Sequence, residues 1–155
     1  MTHYENLLRL LPNDTAALNE LGLALAMAGR KPEAAERYEA ALRIQPDFAK
    51  AHRNLGRLLA TEDRVPEAIL HFERALAIDP SEPEVHSELG MALVMSGHAS
   101  EAIGRFEQSL RLNSNQPQVQ LELAIALENA GRPAEAAAHY EIARRMGLAL
   151  PPPGN

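Results

Sequence analysis

Three basic side chains form the most distinctive chemical pattern in the sequence. Lys50, Arg53 and Arg57 are spaced by three and four residues, so on an α-helix they lie along one side as a basic stripe. Because an arginine binds a carboxylate through two parallel hydrogen bonds, the stripe predicts recognition of a carboxylate. The alternative is that both arginines pair with glutamates of neighbouring helices, Glu20 and Glu88. Exposed ion pairs of that kind contribute at most about 1 kcal/mol each.

The other residue types that could do chemistry do not form a catalytic pattern. The sequence has six histidines and no cysteine. It contains no phosphate-binding loop ending in Lys-Ser/Thr, no nucleophile elbow and no His-Glu-x-x-His motif. We therefore predict a protein that is not an enzyme and that has no cofactor and no metal site.

A skeleton of residues recurs every 34 positions and must position the basic stripe. Its first member is a leucine, at Leu21, Leu55, Leu89 and Leu123. A small residue follows directly, at Gly22, Gly56, Gly90 and Ala124. An aromatic residue comes later in each copy, at Tyr38, Phe72, Phe106 and Tyr140. Self-similarity at this period indicates stacked helical hairpins, each of which buries its apolar side only against its neighbours.

This skeleton resembles the tetratricopeptide repeat family, in which a Leu-Gly pair precedes an Ala-x-x-x-aromatic motif. The alanine of that motif is present in every copy, at Ala34, Ala68, Ala102 and Ala136. The tryptophan position of the family is filled by Leu18, His52, His86 and Gln120. The resemblance implies an all-α fold, a right-handed superhelical solenoid of antiparallel helix pairs with a concave groove that binds peptides or proteins.

The period divides the chain into segments of a single predicted domain. Residues 1–12 form a half-repeat with one B-type helix, which is either a cap or a truncated repeat. The repeats follow at 15–48, 49–82, 83–116 and 117–147, and residues 148–155 form a Pro-rich tail. Left-handed backbone is expected after the first helix of each pair, at Gly29, Asp63, Gly97 and Gly131. Residues 81–84 predict a capping box in which Ser81 begins the first helix of the third repeat.

The resemblance also implies which residues line the groove. They belong to the first helix of each pair, at positions outside the skeleton. In this sequence the predicted groove residues are Asn19, Leu23, Met27, Lys50, Arg53, Asn54, Arg57, Ser87, Glu88, Met91, Met95, Leu121, Glu122 and Ile125. Asn54 stands where the family often uses an asparagine to hold a ligand backbone.

Four of these groove residues form a predicted apolar strip beside the basic stripe, namely Met91, Met95, Leu121 and Ile125. Methionine side chains are flexible and polarisable, which suits surfaces that accommodate varied partners. The alternative is that the methionines are partly buried between repeats. A peptide with an acidic group beside hydrophobic residues would satisfy both the stripe and the strip.

Composition limits the partners further. A net charge of −6 argues against nucleic acid, because phosphate neutralisation needs a basic surface. No apolar run approaches about 18 residues and the N-terminus lacks signal-peptide features, so we expect no membrane span. A cytoplasmic location is expected and a periplasmic one is left open.

We therefore expect a non-catalytic protein–protein interaction scaffold. Two alternatives stay open at this point. One is the repeat domain of a larger enzyme, such as a glycosyltransferase, that presents substrates. The other is a self-assembly module that forms a homo-oligomer through uncapped ends.

Overall fold

The computed structural model describes residues 2–149, and every regular element within them is an α-helix. The helices are α1 (Thr2–Leu10), α2 (Thr15–Met27), α3 (Lys31–Ile44), α4 (Ala49–Ala60), α5 (Val65–Ile78), α6 (Pro83–Met95), α7 (Ala99–Leu112), α8 (Pro117–Asn129) and α9 (Pro133–Arg145). After α1, successive helices pack as four hairpins, α2–α3, α4–α5, α6–α7 and α8–α9. The predicted all-α fold of antiparallel helix pairs is confirmed. We call the first helix of each pair the A helix and the second the B helix.

The turn inside each hairpin has the predicted left-handed residue. The φ angles are 77° at Gly29, 62° at Asp63, 82° at Gly97 and 75° at Gly131. The N–H of the next residue bonds to the carbonyl five positions back, at 2.8–3.0 Å in all four turns. This bond satisfies a carbonyl at the end of the A helix and reverses the chain direction.

Proline determines where several helices begin. It occupies the first turn of α3, α5 and α9, where its missing N–H costs no intrahelical bond. The predicted capping box at Ser81 is wrong, because α6 has Glu82 as its N-cap and no side-chain capping bond. With that start Pro83 becomes the first helical residue, the position that proline favours. Asp14, in contrast, caps α2 by accepting a hydrogen bond from the Ala17 amide at 2.9 Å.

The skeleton glycines allow the A helix to approach an aromatic ring of the B helix. A Cβ atom at Gly22, Gly56 or Gly90 would lie 2.6–2.9 Å from the nearest ring carbon. Those rings are fully buried and belong to Tyr38, Phe72 and Phe106.

The fourth repeat packs its aromatic residue differently. Ala124 already carries the Cβ that the other repeats lack. Tyr140 is only half-buried, and its hydroxyl donates a hydrogen bond to Glu128 at 2.7 Å. The three fully buried rings thus lie opposite a glycine, and the half-buried ring belongs to the repeat that has alanine there.

Contacts between Cα atoms divide the chain into two compact units after Pro80. In the first unit α1 packs on α2, and Leu8 contacts a buried cluster of Leu18, Ala41 and Ala51. In the second unit α8 packs on both α6 and α7. The prediction of a single domain stays a prediction, and residues 150–155 of the predicted tail lie outside the described residues.

Candidate functional site

A pocket of about 270 Å³ lies on the first unit, where α2 and α4 contact each other. Four predicted groove residues line it, namely Leu23, Met27, Asn54 and Arg57. Lys31 of α3 and the Tyr38 ring line it as well. The structure therefore brings predicted residues from two A helices into one site, together with two residues of a B helix.

The α2 side of the pocket is apolar. Leu23 and Met27 are four residues apart and so share one face of the helix. The Met27 side chain is 83% exposed. A flexible apolar side chain this open to solvent can fold over a ligand without losing existing contacts.

The α4 side of the pocket has two polar side chains, Asn54 and Arg57, and Asn54 is hydrogen-bonded to the buried Asn19. The Asn54 Nδ2 atom donates a hydrogen bond to the Asn19 Oδ1 atom at 2.9 Å, and Asn19 in turn donates to Glu20 at 3.2 Å. Asn19 is only 2% exposed, so its side chain orients Asn54 and offers no surface itself. The second N–H and the carbonyl oxygen of the Asn54 amide remain for a ligand.

Two residues of α3 complete the pocket, and sequence reasoning did not find them. The Lys31 ammonium donates to the Thr61 carbonyl at 3.2 Å, which places a cation at the rim. Burial raises the pKa of Tyr38 to about 12, with Arg57 opposing the shift and Glu20 adding to it. The hydroxyl is therefore neutral at physiological pH. The signal available in the sequence was the tyrosine itself, since the next two repeats have phenylalanine at this position.

The basic stripe is only partly in this pocket. Lys50 is exposed and Arg53 half-buried on α4, but only Arg57 lines the pocket. Arg53 and Arg57 already take part in interactions within the chain. A ligand carboxylate would therefore have to compete for Arg57.

The predicted groove residues of the second unit lie on α6 and α8, which contact each other. Met91 is 40% exposed, Met95 53% and Ile125 40%, so these three apolar side chains face solvent. Leu121, Ser87, Glu88 and Glu122 are half-buried. Burial raises the pKa of the Glu122 carboxyl, and a hydrogen bond with Gln118 partly opposes that rise.

Two histidines of the second repeat meet, which the sequence comparison between repeats did not reveal. The Nδ1 atoms of His52 and His71 are 2.9 Å apart. The Nε2 atom of His52 is 3.0 Å from the Pro46 carbonyl, which can only accept, so this nitrogen carries the proton. In the neutral pair His71 must then donate from Nδ1 to His52. The fourth repeat has a comparable pair, Gln120 and His139, at 2.7 Å and the same sequence separation.

These side chains do not assemble a metal site. Within residues 2–149, no three residues of the His, Cys, Asp and Glu types come close enough to hold a metal ion. The His52–His71 pair is therefore a contact between helices α4 and α5.

The family assignment follows from a match along almost the whole chain. The family model described as Tetratricopeptide repeat matches residues 2–47, 28–83 and 87–148. The chain belongs to the tetratricopeptide repeat family. Proteins with these repeats are protein-interaction scaffolds and are generally non-catalytic.

Solved structures share the fold at low sequence identity. YrrB, described as a tetratricopeptide repeat protein with an unusual peptide-binding site, is 19% identical with a TM-score of 0.87, over 93% of this chain and 74% of YrrB. MamA from Desulfovibrio magneticus RS-1 is 19% identical with a TM-score of 0.86, over 94% and 82% of the two chains. MamA AMB-1 is 26% identical with a TM-score of 0.80, over 96% and 86%.

No curated protein matches the sequence. Among the described residues, no helix has the length and apolar character that crossing a membrane requires.

Proposed function

We propose that this chain is a non-catalytic scaffold that binds a peptide or protein segment on the exposed sides of its A helices. The observation that carries the proposal is the pocket of the first unit, which combines an apolar wall, an amide and two cations. The family supports it, since its members are protein-interaction scaffolds. The described peptide-binding site of YrrB, a protein of the same fold, points in the same direction.

The pocket suits a carboxylate that lies next to an apolar side chain. Leu23 and Met27 offer apolar surface, while Arg57 and Lys31 offer charge-assisted hydrogen bonds to the carboxylate. Asn54 can pair with a backbone amide of the ligand, since it has one donor and one acceptor left. A volume of about 270 Å³ is below the usual range of cofactor pockets, about 300–1,000 Å³, and fits one or two side chains.

A selection from a random peptide library displayed on phage tests this proposal. Selected peptides should carry Asp, Glu or a free C-terminus next to a leucine, isoleucine or phenylalanine. Fluorescence anisotropy on the synthetic peptides should then show at least about tenfold weaker binding to Arg57→Gln, because a hydrogen bond to a charged group contributes about 1.5–3 kcal/mol.

Arg74→Gln is the matched control, because it removes the same charge from an exposed site on α5 that does not line the pocket. This variant should bind like the parent chain. A library that yields no binding peptide, or equal losses in the two variants, would contradict the proposal.

Self-assembly is a second proposal, and it rests on one observation. Leu10 is 80% and Leu11 54% exposed where α1 ends, so two neighbouring large apolar side chains are open to solvent. Light scattering over a dilution series should show an oligomer that Leu10→Ser with Leu11→Ser converts to a monomer. A parent chain that is monomeric at every concentration would reject this second proposal.

A further inference from the structure

The second unit repeats the pocket positions of the first with different residues. Two repeat lengths separate four pocket residues from their counterparts, which are Leu23 and Met91, Met27 and Met95, Asn54 and Glu122, Arg57 and Ile125. The helices that carry them correspond as well, since α6 contacts α8 as α2 contacts α4. The apolar wall is therefore kept on the first helix, while the polar side changes on the second.

The change reverses the charge of the site. Arg57 is replaced by Ile125, and Lys31 at the start of α3 is replaced by Ala99 at the start of α7. Asn54 is replaced by a carboxylate, Glu122. The first unit thus has two cations at this place, and the second has none and one anion.

No lysine or arginine on the A helices of the second unit compensates for this charge. Helices α6 and α8 contain four glutamates and neither lysine nor arginine. Two of the glutamates already have partners, since Glu88 takes part in interactions within the chain and Glu128 accepts a hydrogen bond from Tyr140. The arginines of the second unit lie on α7, on α9 and in the turn before α9.

Glu122 is the glutamate placed to receive a ligand. It lies three residues before the exposed Ile125 on the same face of α8, and its side chain is half-buried. An uncharged segment covering Met91 and Ile125 would remove more water from this carboxylate without replacing the lost hydrogen bonds. A cationic side chain would replace them.

We propose that the exposed side of α6 and α8 binds a polypeptide segment with a lysine or arginine between apolar side chains. The cation lies on Glu122, and the apolar side chains lie on Met91, Met95 and Ile125. This inference rests on the proposed function, because it takes polypeptide binding by the A helices as given and names the partner chemistry for the second unit. The two units thus select segments of opposite charge.

Three fluorescein-labelled, terminally capped peptides test the inference, with the central sequences Leu-Lys-Leu-Leu, Leu-Gln-Leu-Leu and Leu-Glu-Leu-Leu. Anisotropy titrations should show that the lysine peptide binds the parent chain at least tenfold more tightly than the glutamine peptide. Glu122→Gln keeps the shape of the side chain and should remove that difference. Glu128→Gln is the matched control, since it removes the same charge from the same helix about 120° away around the axis, and it should keep the difference.

Equal binding of the lysine and glutamine peptides would overturn the inference. So would a preference for lysine that Glu122→Gln leaves unchanged, or one that Glu128→Gln removes equally.

The glutamate peptide separates this inference from the proposed function. If it binds the parent chain and Arg57→Gln weakens it, while the lysine peptide does not bind, the inference fails and the proposed function stands. If none of the three peptides binds, the inference is rejected, and selection from the random library decides the proposed function on its own.

Discussion

Replacing Gly90 with alanine tests the packing argument that underlies every repeat. A Cβ atom at this position of α6 would lie 2.7 Å from Cε1, 2.8 Å from Cζ and 2.9 Å from Cδ1 of Phe106. Ordinary van der Waals contact begins near 3.4 Å, so the ring must move by about 0.7 Å. Phe106 is fully buried, and a close-packed interior has no space into which the ring can move freely.

Two effects of opposite sign decide the magnitude. Overpacking of this kind costs about 1–3 kcal/mol of unfolding free energy. Alanine gains about 1 kcal/mol over glycine inside a helix. We therefore expect Gly90→Ala to destabilise the chain by up to about 2 kcal/mol, because three ring carbons contact the new Cβ atom and the packing cost exceeds the gain in helix propensity.

Gly104→Ala is the matched control, because Gly104 lies inside α7 of the same unit and is exposed. Apart from the neighbouring residues and the local backbone of α7, no atom of the described residues approaches within 4 Å of a Cβ built there. The higher helix propensity of alanine is then the remaining effect, so this variant should be more stable than the parent chain by about 0.5–1 kcal/mol. Urea unfolding followed by circular dichroism at 222 nm measures both.

The double variant Gly90→Ala with Phe106→Leu isolates the contact. Leucine is smaller than phenylalanine, so the alanine should cost less in this background, and the two changes should couple favourably. Stabilisation of both glycine positions by alanine, or additive effects in the double variant, would refute the reasoning.

Three other predictions concern polar groups of the two units. The unfolding free energy should fall as the pH drops below about 6.5. Burial and then His52 lower the pKa of His71, so the unfolded chain binds more protons than the folded one. His52→Gln should raise the pKa of His71 in an NMR titration, and an unchanged pKa would contradict the interaction between the two histidines. Ser109→Ala should lower the unfolding free energy by about 1–2 kcal/mol, because the buried Ser109 hydroxyl donates a hydrogen bond to the Pro83 carbonyl and accepts one from Gln116. An unchanged urea midpoint would contradict this prediction. Burial raises the pKa of Glu122, so its charged form opposes folding. Glu122→Gln should therefore be more stable than the parent chain at pH 7, and the difference should vanish near pH 4. Equal urea midpoints of the two chains at pH 7 would contradict this prediction.

Local sequence signals predicted the backbone accurately because their causes are local. The left-handed turns at Gly29, Gly97 and Gly131 depend on a residue without a Cβ, and the turn at Asp63 on a short polar side chain. The failure at Ser81 is equally local. Residues 81–84 satisfy two sequence preferences that place the start of the helix differently. Serine favours the N-cap position, whereas proline favours the first helical position, and in the structure Pro83 occupies that position.

Side-chain partnerships were harder to predict because they depend on how two helices pack. His52 and His71 are 19 residues apart, a separation that corresponds to no helical period. Comparing each histidine with its counterpart in other repeats could not reveal that they face each other. Lys31 was missed for a similar reason, since it begins a B helix while the predicted groove used A helices alone.

The repeat makes position and chemistry independent of each other, and this is why the binding preferences of the two units can differ. Packing fixes where Asn54 and Glu122 stand, because both follow the same skeleton on equivalent helices. Neither side chain is fully buried, so each position accepts either a neutral amide or a carboxylate. If the proposed function holds, a substitution at such a position changes the partner while leaving the core contacts in place. The skeleton then specifies the scaffold, and the residues outside it are where we propose that ligand preference is set.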